Sequence, residues 1–325
     1  MKTTVHRAAA EAGNAFVELK TEKTRILIDP VSPYDADTVD AVLLSRFSPD
    51  LVLPDPKTPC YVSFGVKALI EASHLFIHGV PLTFDARILK ERDKKPVRIG
   101  DLAVHVYPAG NCGFDARAFL VEAGDERALY VNRLTVTGKK GRFFEALVND
   151  KSVNFIEEAL PDAGEHEYHD HEALRAAVSE ALGGPASKAF LCISAYDVDG
   201  IASAYRACRA AGAVFVMDLS VAFILAMVRR VSKRVPQYDS DRVRVRFSAD
   251  LATALKDAGY GPLVHAFGNR EHKIDIFELN RSKRRLLFAV RDEHFLRALA
   301  KELDDVKDAR AISAAEDGIN IRPVS

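Results

Sequence analysis

The sequence predicts a mixed α/β protein of two unlike halves, and three observations carry that reading. The first half is a succession of short apolar runs separated by turn residues, the rhythm of antiparallel strands. The second half alternates strand and helix patterns with short links, the rhythm of a parallel sheet. The chain has 325 residues, 48% of them hydrophobic, enough for one large or two medium cores. The change of rhythm, at the polar loop PDAGEHEYHDH, sets the expected boundaries: a first domain over 1–164, a second over 165–275, and a return segment over 276–325 with no assignment of its own.

In the first half, NAFVELK, the turn TEK and TRILIDP predict a hairpin. VDAVLLS is nearly continuous in apolar residues, as a strand covered on both faces should be. PCYVSF and LTFD are weaker strand patterns. LAVHVYPA, ARAFLVEAG and ERALYVN predict a meander. Residues 140–148 predict a helix with Phe143, Phe144 and Leu147 on one face.

In the second half, Asp170 caps a predicted helix whose stripe is Leu174, Ala177, Val178 and Ala181, closed by Gly183 and Gly184. KAFLCIS predicts a strand. Val198, Ile201, Ala202, Tyr205 and Cys208 keep helical spacing up to Gly212. AVFVMDL predicts the next strand, completing a βαβ unit. A helix over 221–231 follows. RVRVRFS alternates with period two, placing Arg242, Arg244 and Arg246 on one face and Val243, Val245 and Phe247 on the other.

Composition narrows the function classes. The formal net charge of -1 offers no broad field to nucleic acid or an anionic membrane. Cys60, Cys112, Cys192 and Cys208 form no Cys-x-x-Cys pair and read as reduced thiols of a cytoplasmic protein. The opening residues lack a signal-peptide core. The longest apolar run, Val221 to Val228, is too short to span a bilayer.

The order of these segments resembles the metallo-β-lactamase fold, more narrowly the branch with a β-CASP-like insertion that includes RNA-processing nucleases. VHRAAAEAGNAFVEL is similar to that branch's opening strand and turn, with Glu11 and Gly13 in matching places. RILIDP resembles the strand ending in a buried aspartate, here Asp29. VDAVLLSRFSPDL matches the strand leading into the His-x-His-x-Asp-His metal motif, and the stretch from YPAGNCGFDARAFL to GRFFEAL resembles the segment with the third histidine and the bridging aspartate. KAFLCISAYDVDGIASAYRACRAAGAVFVMDLS looks like the core of the insertion. The resemblance implies an αββα sandwich carrying an inserted βαβ lobe, cut short at the C-terminal side, where the family's later histidine-bearing strand has no counterpart.

The departures from the family decide the expected chemistry. Its first two histidines fall on Arg46 and Ser48, its aspartate is kept as Asp50, and the adjacent histidine is Leu51. Its third histidine site falls on Asn111 and its bridging aspartate on Arg133. Zinc or manganese needs imidazole and carboxylate lone pairs. Leucine has none, and arginine brings donors and a permanent charge that repels a dication. Without a metal no hydroxide forms near neutral pH. The sequence therefore predicts no catalytic residue, no bound metal and no cofactor. Arg46 and Arg133 either pair with Asp50 and Asp29 in a filled pocket or hold an anion such as phosphate.

Other signals are weaker. His166, His169 and His171 sit beside Glu167 and Asp170 but have no partner ligands elsewhere, so a polar loop is the simpler reading. His265 and His272 read as ordinary histidines. Three basic runs (Arg229, Arg230, Lys233 and Arg234; RVRVRF; Arg281, Lys283, Arg284 and Arg285) would track a phosphate backbone if they converged, yet no aromatics interleave to stack bases. Ser194 and Ser220 lie near strand ends, where a nucleophile can sit, without the Gly-x-Ser-x-Gly form. The expected function is that of a catalytically inactive scaffold or regulatory subunit. It would bind a protein partner or form a homo-oligomer, with no membrane role. The alternatives are a metal-dependent phosphodiester hydrolase and a nucleic-acid-binding module without cleavage.

Overall fold

A computed structural model describes residues 1–7, 16–53, 55–90, 95–109, 113–132, 146, 148–156, 171–315 and 318–324. The chain divides into two compact units: Met1–His74 with Pro81–His166, and Leu75–Val80 with Glu167–Ser325.

The first unit holds two sheets. The six-stranded sheet runs in chain order through β1 (Lys2–Arg7), β2 (Phe16–Lys20), β3 (Arg25–Ile28), β4 (Ala41–Leu44), β5 (Cys60–Ser63) and β6 (Ala86–Leu89). The first three strands pair antiparallel and the last four parallel. The hairpin expected around TEK is the β2–β3 pair, closed by Thr21 N–H donating to the Thr24 carbonyl at 2.8 Å. The five-stranded sheet has the order β11 (Asn154–Phe155), β10 (Glu126–Tyr130), β9 (Arg117–Ala123), β8 (Leu102–Pro108), β7 (Val97–Ile99). β8, β9 and β10 are the expected meander.

Period two makes these sheets a sandwich. Leu19, Ile26, Ile28 and Leu43 of the first sheet share one core with Leu102, Val104, Phe119, Val121 and Tyr130 of the second. The alternate residues Leu27, Val42, Leu44 and Val62 face the other way, against Val66 and Ile70 of helix α1 (Phe64–His78). That double cover is why all of AVLL in β4 is buried. Two expectations need correction here. LTFD is not a strand; the strand begins after it, at Ala86. The first half also contains α1, which the strand-rich reading passed over. The helix expected over 140–148 lies almost wholly outside the described residues.

The second unit is built on one sheet of seven strands. They are β12 (Lys188–Cys192), β13 (Val214–Asp218), β14 (Val243–Arg246), β15 (Lys273–Ile274), β16 (Leu286–Val290), β17 (Arg310–Ala315) and β18 (Gly318–Pro323), in the spatial order β15-β14-β13-β16-β12-β17-β18. All neighbours are parallel except β17 and β18. The expected βαβ unit is β12, α3 (Val198–Ala210) and β13. Ahead of it lies α2 (His171–Gly183), with the expected stripe Leu174, Ala177, Val178 and Ala181 buried; the capping residue foreseen for it, Asp170, lies outside the described residues. After it come α4 (Leu219–Met227), α5 (Ala249–Leu255), α6 (Gly261–Phe267), α7 (Ile276–Arg281) and α8 (Glu293–Glu302). β14 keeps its period: Val243 and Val245 are buried, Arg244 and Arg246 half-buried. Residues 276–325 enter this sheet through β16, β17 and β18, the last adding an antiparallel edge. Among the described residues, no helix is long and apolar enough to cross a membrane.

Candidate functional site

The motif-bearing segments of the first unit meet at the carboxyl ends of β3, β4 and β5. Asp29 follows β3 in a left-handed conformation, φ 50°, which aspartate tolerates better than most residues. That turn folds its carboxylate inward, where it is wholly buried. There it accepts three hydrogen bonds. Ser45 N–H reaches Oδ1 at 2.7 Å, Tyr130 O–H reaches Oδ2 at 2.8 Å, and the Ser45 hydroxyl also donates to Oδ2. Burial nonetheless dominates and pushes the carboxyl up from its ordinary range; the three donors and the Arg46 charge pull the other way. Burial beside that carboxylate also pushes the Tyr130 phenol well up, so it acts as a donor at neutral pH.

A second buried constellation adjoins the first. Arg117 N–H donates to the Ser45 carbonyl at 2.7 Å, tying the start of β9 to the end of β4. Its guanidinium is almost fully enclosed and meets Asp115 at 2.6 Å. Asp115, also left-handed at φ 56°, uses its other oxygen to accept Gly65 N–H at 2.8 Å. The Ser63 hydroxyl donates to the Asp115 carbonyl at 2.8 Å and accepts Val66 N–H at 3.3 Å. The first turn of α1 is thus capped by the protein's own side chains.

Of the sequence-predicted site residues, Asp29 and Arg46 come together, close enough for the Arg46 charge to act on Asp29. Ser48 is half-buried on the segment after β4, and Asp50 beyond it is exposed, its N–H 3.3 Å from the Ser48 hydroxyl. Asn111, Arg133, Glu11, Gly13, His166 and His169 lie outside the described residues. His265 is exposed, and His272 packs its ring against Tyr238 at 5.1 Å. Ser45, Tyr130, Asp115 and Arg117 were not singled out from the sequence. The only signal for them was their place at strand ends.

The described part of this site does not fit a dication. A zinc or manganese ion would need open carboxylate and imidazole lone pairs. Asp29 accepts three protein donors, Arg46 adds positive charge, and the described residues include no cluster of three or more His, Cys, Asp or Glu side chains that could hold a metal ion.

In the second unit the carboxyl ends of β12, β13, β14 and β16 open on a crevice of about 760 Å³, within the usual range of ligand pockets. Ser194 and Ser220 line it, with Asp218, Arg246 and Arg291. The Ser220 hydroxyl donates to Asp218 Oδ1 at 2.6 Å, and the same oxygen accepts Val221 N–H at 2.9 Å. This is a helix cap, not a nucleophile with its base. Asp197 caps α3 and Asp292 caps α8 in the same manner.

No family model matches this chain, and no curated protein matches it. Among solved structures, a protein of unknown function from Enterococcus faecalis V583 superposes over 97% of this chain and 88% of its own, with a TM-score of 0.63 at 14% identity. The metallo-β-lactamase fold protein YhfI from Bacillus subtilis covers 41% of this chain and 64% of its own, with a TM-score of 0.29 at 13% identity. The short form of human tRNase Z covers 43% and 72%, with a TM-score of 0.32 at 14% identity. The likeness to the Enterococcus faecalis protein, which spans nearly the whole chain, is one of fold.

Proposed function

We propose that the protein is a metallo-β-lactamase-like scaffold, of the branch with a β-CASP-like insertion, whose hydrolytic site has become structural, and that it works by binding a protein partner or a second copy of itself. The observation that carries this reading is Arg46, a guanidinium at the place of the family's first histidine, close enough to buried Asp29 for its charge to act there. That carboxylate, bonded by Ser45 and Tyr130, holds the strand ends together, and its three protein donors take most of its acceptor capacity. Arg46 beside it supplies fixed positive charge where the family places a cation. In this reading Arg46 and Ser48 remain at the place of the lost metal site, with Asp29 balancing the Arg46 charge, and the sheet edges offer the docking surface.

The test uses protein purified without a histidine tag. Metal content, turnover of RNA and DNA, and mass by light scattering are measured on one sample. The reading expects no stoichiometric zinc or manganese, no cleavage, and a defined oligomer or a stable complex with a co-purified partner. Stoichiometric metal accompanied by turnover would overturn it in favour of a phosphodiester hydrolase.

A further inference from the structure

At the opposite edge of the second unit's sheet, two of the basic runs converge. Arg242 and Arg244 enter from the start of β14, and Arg281 and Arg284 from the end of α7 and the link to β16. All four line one cavity of about 780 Å³.

Of the four carboxylates on the same wall, Asp239 and Asp241 are ion-paired, while Glu271 and Glu278 have no ion pair among the described residues. Asp239 meets Arg229 at 3.0 Å. Asp241 lies 3.6 Å from Arg209 and 3.9 Å from Arg242. Glu278 closes a capping box with Asp275. Arg242 further donates to the Gly212 carbonyl at 2.8 Å, and Arg244 to that of Val243 at 2.8 Å. Arg281 and Arg284 are different. Both are exposed, and neither guanidinium has an ion pair or hydrogen bond among the described residues. The cavity lining holds four arginines and the four carboxylates Asp239, Asp241, Glu271 and Glu278, with Arg209 and Arg229 reaching Asp241 and Asp239 from outside it.

We infer that this cavity is a binding site for a small phosphate-bearing molecule, with Arg281 and Arg284 gripping the phosphate. A guanidinium fork matches two phosphate oxygens at once, and a phosphate monoester near neutral pH carries close to the two charges that Arg281 and Arg284 bring without an ion pair of their own among the described residues. A simple carboxylate would neutralise only one of them. The cavity is large enough for a nucleoside or sugar body behind the phosphate. The site is separate from the one at Asp29 and stands or falls without it.

Calorimetric titration of the full chain with inorganic phosphate, AMP and adenosine tests the assignment. Saturable binding of phosphate and AMP is expected, with none for adenosine. In R281A/R284A, AMP affinity should fall about tenfold or more, while the melting temperature stays unchanged because both side chains are exposed. Absence of binding by both phosphate and AMP, or equal AMP affinity in wild type and variant, would overturn the proposal. A short single-stranded oligonucleotide provides the second arm. If it binds more tightly than AMP, with affinity falling steeply with salt, the small-ligand assignment gives way to a nucleic-acid backbone. A melting temperature lowered in R281A/R284A is resolved by R281K/R284K, which should keep the fold and part of the affinity.

Discussion

Replacing Tyr130 by phenylalanine removes one hydroxyl at the heart of the first unit. The ring is fully buried and stacks on Phe119 at a centroid distance of 6.4 Å, so the variant leaves no cavity and keeps its packing. What goes is the hydroxyl, with its 2.8 Å bond to Asp29 Oδ2 and its interaction with Asn132. A hydrogen bond to a charged group contributes about 1.5–3 kcal/mol, and a buried acceptor deprived of one partner adds its desolvation cost. Asp29 keeps the Ser45 N–H and hydroxyl, which limits the added cost, so Y130F should destabilise the unit by about 2 kcal/mol. Hydrogen-exchange mass spectrometry reads this locally, from peptides covering β3, β4 and β10. The same substitution in a D29N background should cost under about 0.5 kcal/mol, because the charged acceptor is gone. The proton gives a second check. Burial raises the folded-state value of Asp29 above the ordinary 3.8, so the folded chain binds that proton more tightly than the unfolded one. Its contribution to stability is complete below the unfolded value and is lost as pH rises through the raised folded value. The stability difference between wild type and D29N should therefore shift against wild type over that window. Equal costs of Y130F in both backgrounds, or a difference that moves the other way with pH, would refute the hydrogen-bond account.

R117M removes one side of a nearly enclosed ion pair and leaves Asp115 charged beside Gly65, so the first unit should lose about 3–5 kcal/mol in chemical denaturation. G65A brings a methyl group 2.6 Å from Asp115 Cβ and 2.9 Å from its Oδ2; displacing that cap should cost about 1–3 kcal/mol, read as a lower melting temperature. Burial pushes the thiols of Cys192 and Cys208 up to about 11 and about 12, and that of Cys60 further. In a C112S chain, alkylation at pH 8 should therefore be far slower in native protein than after unfolding; native labelling at the free-thiol rate would show that these side chains are open.

Strands were legible wherever burial imposed a simple period. The meander of β8, β9 and β10 alternates because one face meets the other sheet, and β14 alternates because Val243 and Val245 face the core. Helix α1 escaped because it begins directly after β5 without a loop. Its capping signal, Ser63, stood inside an apolar strand pattern, and its strongest cap, Asp115, lies 50 residues away. The site was half legible for a related reason. Asp29 was visible as an aspartate ending an apolar strand, but the donors that bond it come from 16 and 101 residues further along. No local pattern encodes such a pairing. The basic runs were plain in the sequence; that Arg242 and Arg284 share a cavity follows only from the adjacency of β13 with both β14 and β16.

The aspartates that cap α3, α4 and α8 have one more consequence. Asp197, Asp218 and Asp292 quench the positive ends of three helix dipoles with built-in carboxylates. In many α/β proteins those ends are the anion receptors. Here three helix starts at the carboxyl edge carry their own negative charge, while Arg281 and Arg284 stand without an ion pair among the described residues at the amino edge. Substituting glycine or serine for Asp218 would restore the usual sense, converting a self-neutralised helix start into an anion receptor without altering the topology.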